Sequence, residues 1–432
     1  MQGPAASGLP RDPALRSVTL DEALAIAAEK NLDIRKAEEY RRWLRARYVE
    51  ARADAFPQVT LTGNAIRNFD ESQKDFFQDV PDEFKALIPF RQDVKGAQLT
   101  LNQVLFSWGQ VGAAIRGAKW ALATGDDQLR RFQQAVRRDV TTSFCDVLLA
   151  REFAAITEHT VEQRRRHLDE AQRRFTLGTA TDFDVLSAQV ALDNAKPEAI
   201  RATNAVRTAR QQLAFLLAEE GEIDANGSLA TAASPALNYA DVVARALENR
   251  PELAEIEHQR QVGLELVKIR GADDRPRLDL QAGLGFKQLE VLDTTSRGKT
   301  WNAGVVLSYP IFDGLRTRAK VAQARSDLAT VSLSEEKLKD AVALEARAAL
   351  DAVEQAAEIL HALDTTVRQA ERLLEMAEKG YEFGVKTKLD VDDAELNLKA
   401  ARGNLARAQR DHRVALVNLE WVAGTLGEGA KN

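Results

Sequence analysis

The sequence predicts an α+β membrane protein, in which a long coiled-coil α-helical barrel joins a transmembrane antiparallel β-barrel with four strands from each chain. Three observations predict this fold. The chain repeats itself internally, each repeat holds roughly 70 proline-free residues with helical periodicity, and four short segments alternate between apolar and polar residues. Four strands are too few to close a barrel, so several copies of the chain are expected to assemble.

The composition favours long helices and gives no support for nucleic-acid binding. Of 432 residues, 45% are hydrophobic and 29% are charged, while only 11 prolines and 24 glycines interrupt the chain. The net charge of -6 comes from 59 basic and 65 acidic residues that are mixed along the chain. No basic face is therefore expected to attract nucleic acid.

Side chains that commonly carry chemistry are few. Cys145 is the only cysteine, which excludes an internal disulfide and a cysteine-cluster metal site, and the five histidines are scattered. We interpret Cys145 as a small apolar residue on a helix. The sequence has no nucleophile elbow, phosphate loop or metal cluster, so it predicts neither an enzyme nor a bound cofactor or metal.

The two ends of the chain are predicted to lie outside the folded repeats. Residues 1–16 are expected to form a flexible N-terminus and residues 425–432 a tail. The first residues, MQGPAASGLPRDPALR, lack the apolar core of a signal peptide, which indicates a cytosolic protein or a mature form whose signal was removed. The chain also has no run of 18 apolar residues, so no transmembrane helix is expected.

The internal repeat divides the chain in two. An offset of 206 residues aligns FTLGTATDFDVLSAQ, which begins at residue 175, with YEFGVKTKLDVDDAE, which begins at residue 381. Repeat 1 is predicted at residues 17–217 and repeat 2 at residues 239–424, with a linker at 218–238. Near the N-terminus the offset is 219, so repeat 1 is 13 residues longer. The extra length falls in the polar stretch 67–95, which we interpret as a surface loop.

Each repeat is predicted to contain a long helix and a shorter one that returns beside it. The long helices are expected at about 109–177 and 314–383, and apolar residues recur in them every seven positions. At 1.5 Å per residue each would be on the order of 100 Å long, which favours a coiled coil over a compact domain. The returning helices are expected at about 182–217 and 388–422, with Pro197 predicted to kink or break the first.

The repeated turn has the sequence of a helical hairpin tip. A glycine ends each long helix, because the left-handed conformation costs least there, and a Thr-x-x-Asp capping box begins each returning helix. These residues are Gly178, Thr181 and Asp184 in the first copy and Gly384, Thr387 and Asp390 in the second.

Four segments have the alternation of β-strands. They lie at about 57–65, 97–105, 276–286 and 301–310, and each places apolar residues on one side and mostly Gln, Asn, Thr, Ser or Gly on the other. Strands of roughly ten residues cross a bilayer when tilted. A soluble sheet with its apolar side on a core is the alternative, although the long helices offer no obvious local core.

The ordered duplication of these parts resembles the TolC-like outer-membrane efflux channel family. The resemblance covers about residues 17–424 and depends on the two tip motifs and on SVTLDEALAIAAEKNLDI, QVLFSWGQ and YPIFDGLR. It implies a homotrimer in the outer membrane of a Gram-negative-type bacterium, with a twelve-stranded barrel in the lipid and a helical tunnel through the periplasm. The alternative is a soluble periplasmic coiled-coil adaptor or scaffold.

The resemblance also implies partners and a function. The family provides a passive exit duct for efflux or type I secretion, and it works with a periplasmic adaptor protein and an inner-membrane pump of the RND or ABC type. The hairpin tips are where the adaptor contacts the duct. The matching residues here are Leu177, Gly178, Thr179, Phe383, Gly384 and Val385.

By the same resemblance, the tips close the duct. Tyr381 and Lys386 match an aromatic and a basic residue that hold the closed state, and Asp184 matches the acidic partner of the aromatic residue. Asp390 and Asp393 match an acidic ring at the pore aperture. For Asp184 and Asp390 a capping role is the alternative, and for Tyr381 a packing role in its heptad series.

Overall fold

The computed structural model describes residues 16–70, 72, 81, 91–230, 238–291 and 294–427. Most of the predicted flexible N-terminus, most of the predicted surface loop, and parts of the linker and tail lie outside these residues. The chain forms two compact units. Unit 1 comprises Met1–Glu39, Asp127–Ala254 and Glu336–Asn432, and unit 2 comprises Tyr40–Asp126 and Glu255–Glu335.

The elements of the described residues follow the order of the repeat. The helices are α1 (Leu20–Lys30), α2 (Leu32–Ala53), α3 (Gln110–Thr176), α4 (Asp182–Leu216), α5 (Tyr239–Asn249), α6 (Pro251–Arg270), α7 (Arg316–Glu382) and α8 (Lys388–Val422). The strands are β1 (Arg16–Val18), β2 (Gln58–Phe69), β3 (Arg91–Phe106), β4 (Ile223–Ala225), β5 (Arg277–Val291) and β6 (Thr294–Ser308). None of the helices described is both long and apolar enough to cross a lipid bilayer.

The long helices α3 and α7 have 67 residues each, and the returning helices α4 and α8 have 35 each. The sequence predicts that Pro197 kinks or breaks α4, and the break does not occur, since α4 continues through this residue. A proline removes one backbone hydrogen bond, but buried residues on both sides, Leu192 and Ala195 before it and Val206 after it, hold the helix by packing.

Unit 1 has its main core where α1, α3 and α4 meet. Phe144, Cys145 and Leu213 are fully buried there, so Cys145 is the apolar helix residue that the sequence predicts. A two-stranded parallel sheet of β1 and β4 lies on this core. Strand β4 falls inside the predicted linker and was missed by sequence analysis, because three residues are too few to show alternation.

The two hairpins of unit 1 pack through their heptad positions. Leu168 packs with Ala188 and Leu192 between α3 and α4, and Val367 and Leu374 pack against Leu398 and Val391 between α7 and α8. The heptad series of the first hairpin ends differently from that of the second. Phe175 is 49% exposed, whereas its repeat partner Tyr381 lies against the core near Val391.

Unit 2 contains a four-stranded antiparallel sheet in the order β2-β3-β5-β6. The register aligns the apolar residues of all four strands on one face, in rows such as Val59–Leu101–Ala282–Ala303 and Leu61–Leu99–Leu284–Trp301. The opposite face carries rows such as Thr60–Thr100–Gly283–Asn302. The predicted α+β fold with four antiparallel strands is confirmed, and we name these two faces the apolar face and the amide face.

The strands are longer than the sequence predicted, and the difference lies mainly at one end. β2 extends to Phe69, β3 begins at Arg91, β5 extends to Val291 and β6 begins at Thr294. We name this the hairpin end, since the β2–β3 and β5–β6 connections lie there, and the opposite end, which joins α2, α3, α6 and α7, the helix end. Charged residues replace the apolar ones at the hairpin end, so the alternation used for prediction stops before the pairing does.

Candidate functional site

The hairpin tips of unit 1 share one backbone frame. In the first tip the Gly178 amide donates to the Phe175 carbonyl at 2.9 Å and the Thr179 amide to the Arg174 carbonyl at 2.9 Å, with Gly178 at a φ of +76°. In the second tip the matching bonds join Gly384 to Tyr381 and Val385 to Gly380, with Gly384 at +71°. Both are Schellman ends, and the left-handed glycine makes each possible.

A capping box begins the returning helix of each tip. The Thr181 amide donates to Asp184 Oδ2 at 2.8 Å, and the Asp184 amide donates to Thr181 Oγ1 at 3.3 Å. Thr387 and Asp390 repeat this arrangement at 2.8 and 3.2 Å. The bonds that each Thr amide, and then its hydroxyl, donates to the carboxylate hold the pKa values of both carboxyls below their usual range. Both aspartates therefore have a structural role in this chain, beside any role at a pore.

The two tips differ by an exchange of small and cationic residues. The first tip has Arg174 and Ala180 where the second has Gly380 and Lys386. A Cβ added at Gly380 would lie 2.5 Å from Lys386 Cγ, so the glycine makes room for the lysine side chain. Lys386 Nζ then lies 3.3 Å from Asp390 Oδ1 on the same hairpin.

Arg174 connects the first hairpin to the second. Its Nη1 donates to the Tyr381 hydroxyl at 3.0 Å, and its guanidinium carbon lies 5.5 Å from the centre of the Tyr381 ring. Glu170 accepts from Arg174 Nε at 2.7 Å and holds the guanidinium in place. Tyr381 thus packs at the end of its heptad series and also bonds across to the neighbouring hairpin. The sequence analysis named Tyr381 but missed Arg174.

A second contact between the hairpins lies deeper, and we name it the polar clasp. It joins Arg164 and His167 of α3 to Lys388, Asp392 and Glu395 of α8. Arg164 bonds to Asp392 and lies 3.4 Å from Glu395, whose side chain is only 6% exposed. His167 Nε2 lies 3.3 Å from Glu395 Oε1, and Lys388 Nζ lies 3.1 Å from His167 Nδ1.

Burial and neighbouring charges in the polar clasp keep the His167 ring neutral at pH 7. Burial first, and then the charges of Lys388 and Arg164, lower the pKa of His167 from 6.5 to about 4. The neutral ring accepts a hydrogen bond from the Lys388 ammonium at Nδ1 and donates one from Nε2 to Glu395. Burial also raises the pKa of Glu395, although Arg164 opposes the change.

The polar clasp contains side chains of the types that bind divalent cations. One ligand atom from each of His167, Asp392 and Glu395 lies within 4.8 Å of the others. However, Arg164 lies against both carboxylates and Lys388 against the imidazole, so two protein cations already balance the two anions. We assign this cluster to the joining of hairpins and not to metal binding.

A comparison of the two repeats contains a signal from which the polar clasp could have been predicted. At the offset of 206, Arg164 and His167 correspond to Ala370 and Leu373, and Asp392 corresponds to Leu186. A charged or titratable residue in one repeat therefore stands where the other repeat is apolar. Such mismatches indicate positions where the two hairpins meet surroundings of different polarity.

The remaining predicted residues are at the surface of the tips. Leu177, Phe383 and Val385 are about four-fifths exposed, at 79%, 80% and 80%. Thr179 and Asp393 are also exposed, and Asp393 lies one turn after Asp390 on α8. Between the tips is a cavity of about 700 Å³ whose walls include Arg174, Phe183, Asp184, Tyr381 and Lys388.

The lowered pKa of His167 predicts a pH dependence of stability. Because the folded-state pKa lies below the ordinary value, His167 contributes its full stabilisation above about pH 6.5 and loses it as the pH falls toward 4. We expect the free energy of unfolding of wild type relative to His167→Gln to decrease by about 1–2 kcal/mol from pH 7 to pH 5. Denaturant unfolding followed by circular dichroism at both pH values measures it.

The matched control is His159→Gln, an exposed histidine on the same helix. Its stability relative to wild type should stay nearly constant over that pH range. Glu395, whose raised pKa acts in the opposite direction, is present in both wild type and His167→Gln, so its contribution largely cancels in the difference. Equal pH dependence in wild type and His167→Gln would contradict a buried neutral imidazole.

Comparison with known proteins identifies the family. The sequence model of the family described as outer membrane efflux protein matches residues 23–219 and 242–425, one stretch for each repeat. The alkaline protease secretion protein AprF of Pseudomonas aeruginosa is 28% identical over 338 residues, 76% of this chain and 69% of that protein. The outer membrane protein TolC of Vibrio cholerae is 24% identical over 389 residues, 88% of this chain and 84% of that protein.

Among solved structures, the CmeC outer membrane channel of Campylobacter jejuni superposes with a TM-score of 0.81 at 15% identity. The match covers 100% of this chain and 95% of that one, and at this identity it shows the fold alone. The family match spans both repeats and confirms the resemblance inferred from the repeated motifs. The chain belongs to the outer membrane efflux protein family.

Proposed function

We propose that this chain is the passive exit duct of a tripartite efflux or type I secretion system, crossing the outer membrane and the periplasm. The observation that supports this proposal most strongly is the four-stranded sheet. Its apolar face is open in the single chain, with Leu61, Trp301 and Leu307 exposed by 72%, 78% and 67%, while its other face is rich in amides and hydroxyls. Lipid outside and water inside would suit these two faces.

Assembly into a homotrimer follows from the sheet edges. Strands β2 and β6 form the two edges, and backbone groups in hydrocarbon must all be paired. Three copies of the four-stranded sheet would make twelve strands and close a barrel. A soluble adaptor or scaffold, the alternative, would leave the apolar rows in water, so the observations favour the duct.

The proposed duct has no catalytic role and no cofactor, so other proteins must provide energy and select the substrate. An inner-membrane pump, of the RND or ABC type, and a periplasmic adaptor protein fill these roles. We place the chain in the outer membrane of a Gram-negative-type bacterium, with a large periplasmic portion. The relative named for alkaline protease secretion supports a role in secretion, and the family model described as outer membrane efflux protein supports a role in efflux.

We propose that the six tips of a trimer close the periplasmic end. Within one chain, the Arg174–Tyr381 bond and the polar clasp hold the second hairpin against the first. Asp184 and Lys386 would complete the latch in contacts between tips. Adaptor binding at the exposed tip residues would separate the hairpins. Those residues are Leu177, Gly178, Thr179, Phe383, Gly384 and Val385.

At the aperture, Asp393 is better placed than Asp390 to act on ions. Asp390 accepts three hydrogen bonds, two from Thr387 and one from Lys386, which satisfy much of its charge locally. Asp393 is exposed and stands outside the capping box. In a trimer, six carboxylates from these two positions would converge and favour cations.

The first test of the duct is electrical. Detergent-extracted protein should migrate as a trimer and conduct ions after addition to a planar lipid bilayer. Heat-unfolded protein at the same concentration is the control for detergent artefacts. A protein that remains a monomer in the absence of detergent, and produces no conductance, would contradict the proposal.

Aspartate substitutions test the aperture. Replacing Asp390 and Asp393 together by Ala should weaken the block of conductance by a trivalent cation by about tenfold or more, because the converging negative charge is lost. Asp393→Ala alone should weaken the block without lowering the melting temperature, whereas Asp390→Ala should also lower it by removing a cap. Unchanged block in the double variant would assign both residues to structure alone.

Removal of one hydroxyl tests the latch. Tyr381→Phe deletes the acceptor for Arg174 but keeps the ring in its packing site, so we expect a larger open fraction in single-channel records. An exposed hydrogen bond of this kind is worth about 1 kcal/mol, which predicts a change of about fivefold in the open fraction. Tyr239→Phe, which loses a hydroxyl on α5, is the matched control. Equal open fractions in both variants would contradict the latch.

A further inference from the structure

The apolar face of the sheet changes character at the hairpin end. The last apolar row is Gly63–Ala97–Phe286–Lys299, where Lys299 is the first cation. The next row is Ala65–Lys95–Gln288–Arg297, and the one after it is Arg67–Asp93–Glu290–Thr295. Because paired residues of antiparallel strands project to the same side, these charges continue the surface that the apolar rows form.

Five cations lie on this part of the apolar face, and we name them the cationic patch: Arg67, Arg91, Lys95, Arg297 and Lys299. All five are exposed. Among the described residues of the same rows the acidic ones are Asp93 and Glu290, so five positive and two negative charges leave a surplus of three. The surplus contrasts with the net charge of the whole chain, which is -6.

Asp93 orients two of these cations. It accepts from Arg67 Nε and Nη2 at 2.8 Å each, and from Arg91 Nη2 at 2.8 Å. The Asp93 side chain is only 6% exposed, while those of Arg67 and Arg91 are 65% and 55% exposed. Each guanidinium has five N–H donors, so both arginines keep donors directed to the surroundings. The carboxylate thus fixes their positions without covering them.

The amide face shows the opposite change. Toward the hairpin end its rows become Asn64–Gly96–Lys287–Gly298 and then Ile66–Val94–Leu289–Ser296. Lys287 is the cation of these rows, and apolar residues follow it. The cations are therefore concentrated on the face that carries the apolar band, which a merely polar loop region would not explain.

We propose that the cationic patch binds the phosphate groups of a phosphorylated glycolipid in the outer leaflet. The proposal depends on the membrane placement of the proposed function. From Leu278 to Phe286 the apolar positions cover about 27 Å of strand, which at a tilt of about 40° spans roughly 21 Å of the ~25 Å apolar band of outer-membrane barrels. The patch follows that band at the end away from the helices, where anionic headgroups would lie.

The chemistry of the patch suits phosphate attached to a lipid. Arginine forks bind phosphate oxygens by paired hydrogen bonds, and lysine adds a mobile point charge. Lys299, beside Phe286, can lie along the apolar surface and extend its ammonium to the headgroup level. The acyl chains of the same glycolipid would cover the apolar rows, so one molecule would use both parts of this surface.

The test measures binding of lipid A to the detergent-solubilised full-length protein. The probes are lipid A with both phosphates, the same lipid A after dephosphorylation, and inorganic phosphate alone. The variant is Lys95→Gln/Arg297→Gln/Lys299→Gln, which keeps the Arg67–Asp93–Arg91 cluster. We expect wild type to bind the phosphorylated lipid at least about tenfold more tightly than the dephosphorylated lipid, and the triple variant to lose most of that preference.

Single substitutions provide a matched control. Lys299→Gln should weaken lipid A binding, whereas Lys287→Gln, at a neighbouring position of the same hairpin end but on the amide face, should not. Equal binding of the two lipids by wild type, or an equal loss in Lys287→Gln and Lys299→Gln, would contradict the proposal. Binding of inorganic phosphate as tight as that of lipid A would also contradict it, since the site would then be one for free anions.

Bilayer conductance of the same proteins separates this proposal from the proposed function. We expect the triple variant to conduct like wild type, because none of its changes lies at the tips. Conductance without a preference for phosphorylated lipid A would overturn the cationic patch and leave the duct intact. If wild-type protein neither conducts nor inserts into bilayers, the duct itself fails.

Discussion

The register of the four-stranded sheet is the constraint on which the rest of the protein depends. A slip of one residue between two strands would place amides and hydroxyls among the apolar side chains. Packing on the amide face resists such a slip. If β5 moved by one residue, a side chain with a Cβ would take the place of Gly283 and collide with the side-chain amides of Asn302 and Gln98. The same register aligns the cationic patch and sets where the four helices leave the sheet.

The two hairpin tips share one backbone conformation but make different contacts. Glycine, threonine and aspartate make each tip a closed helical turn, so the shared residues explain shape and stability. What distinguishes the tips is the residues that differ between the copies. Arg174 extends from the first hairpin to the second, whereas Lys386 bonds to Asp390 within the second hairpin. Duplication thus provided the scaffold, and divergence provided the contacts between the hairpins.

Sequence analysis predicted the helices, the tips and the faces of the strands, because periodicity and capping depend on neighbours along the chain. It missed the ends of the strands, where charges replace apolar residues at Lys95 and Arg297. It also missed the polar clasp, since the pairing of His167 with Glu395 depends on which helices pack together across 228 residues of sequence separation. Of the two outcomes predicted for Pro197, a kink or a break of α4, the break was wrong, because packing on both sides outweighs one lost hydrogen bond.

The replacement of Arg174 by Gly380, and of Phe175 by Tyr381, between the two copies makes the two repeats mutually dependent. Two copies of the first tip would offer two arginines and no tyrosine for them to bond. Two copies of the second would offer two tyrosines and no arginine. A chain with one kind of hairpin could build the same helices, but it could not form this pairing. The symmetry of the duplication is therefore broken at this contact, which requires one hairpin of each kind.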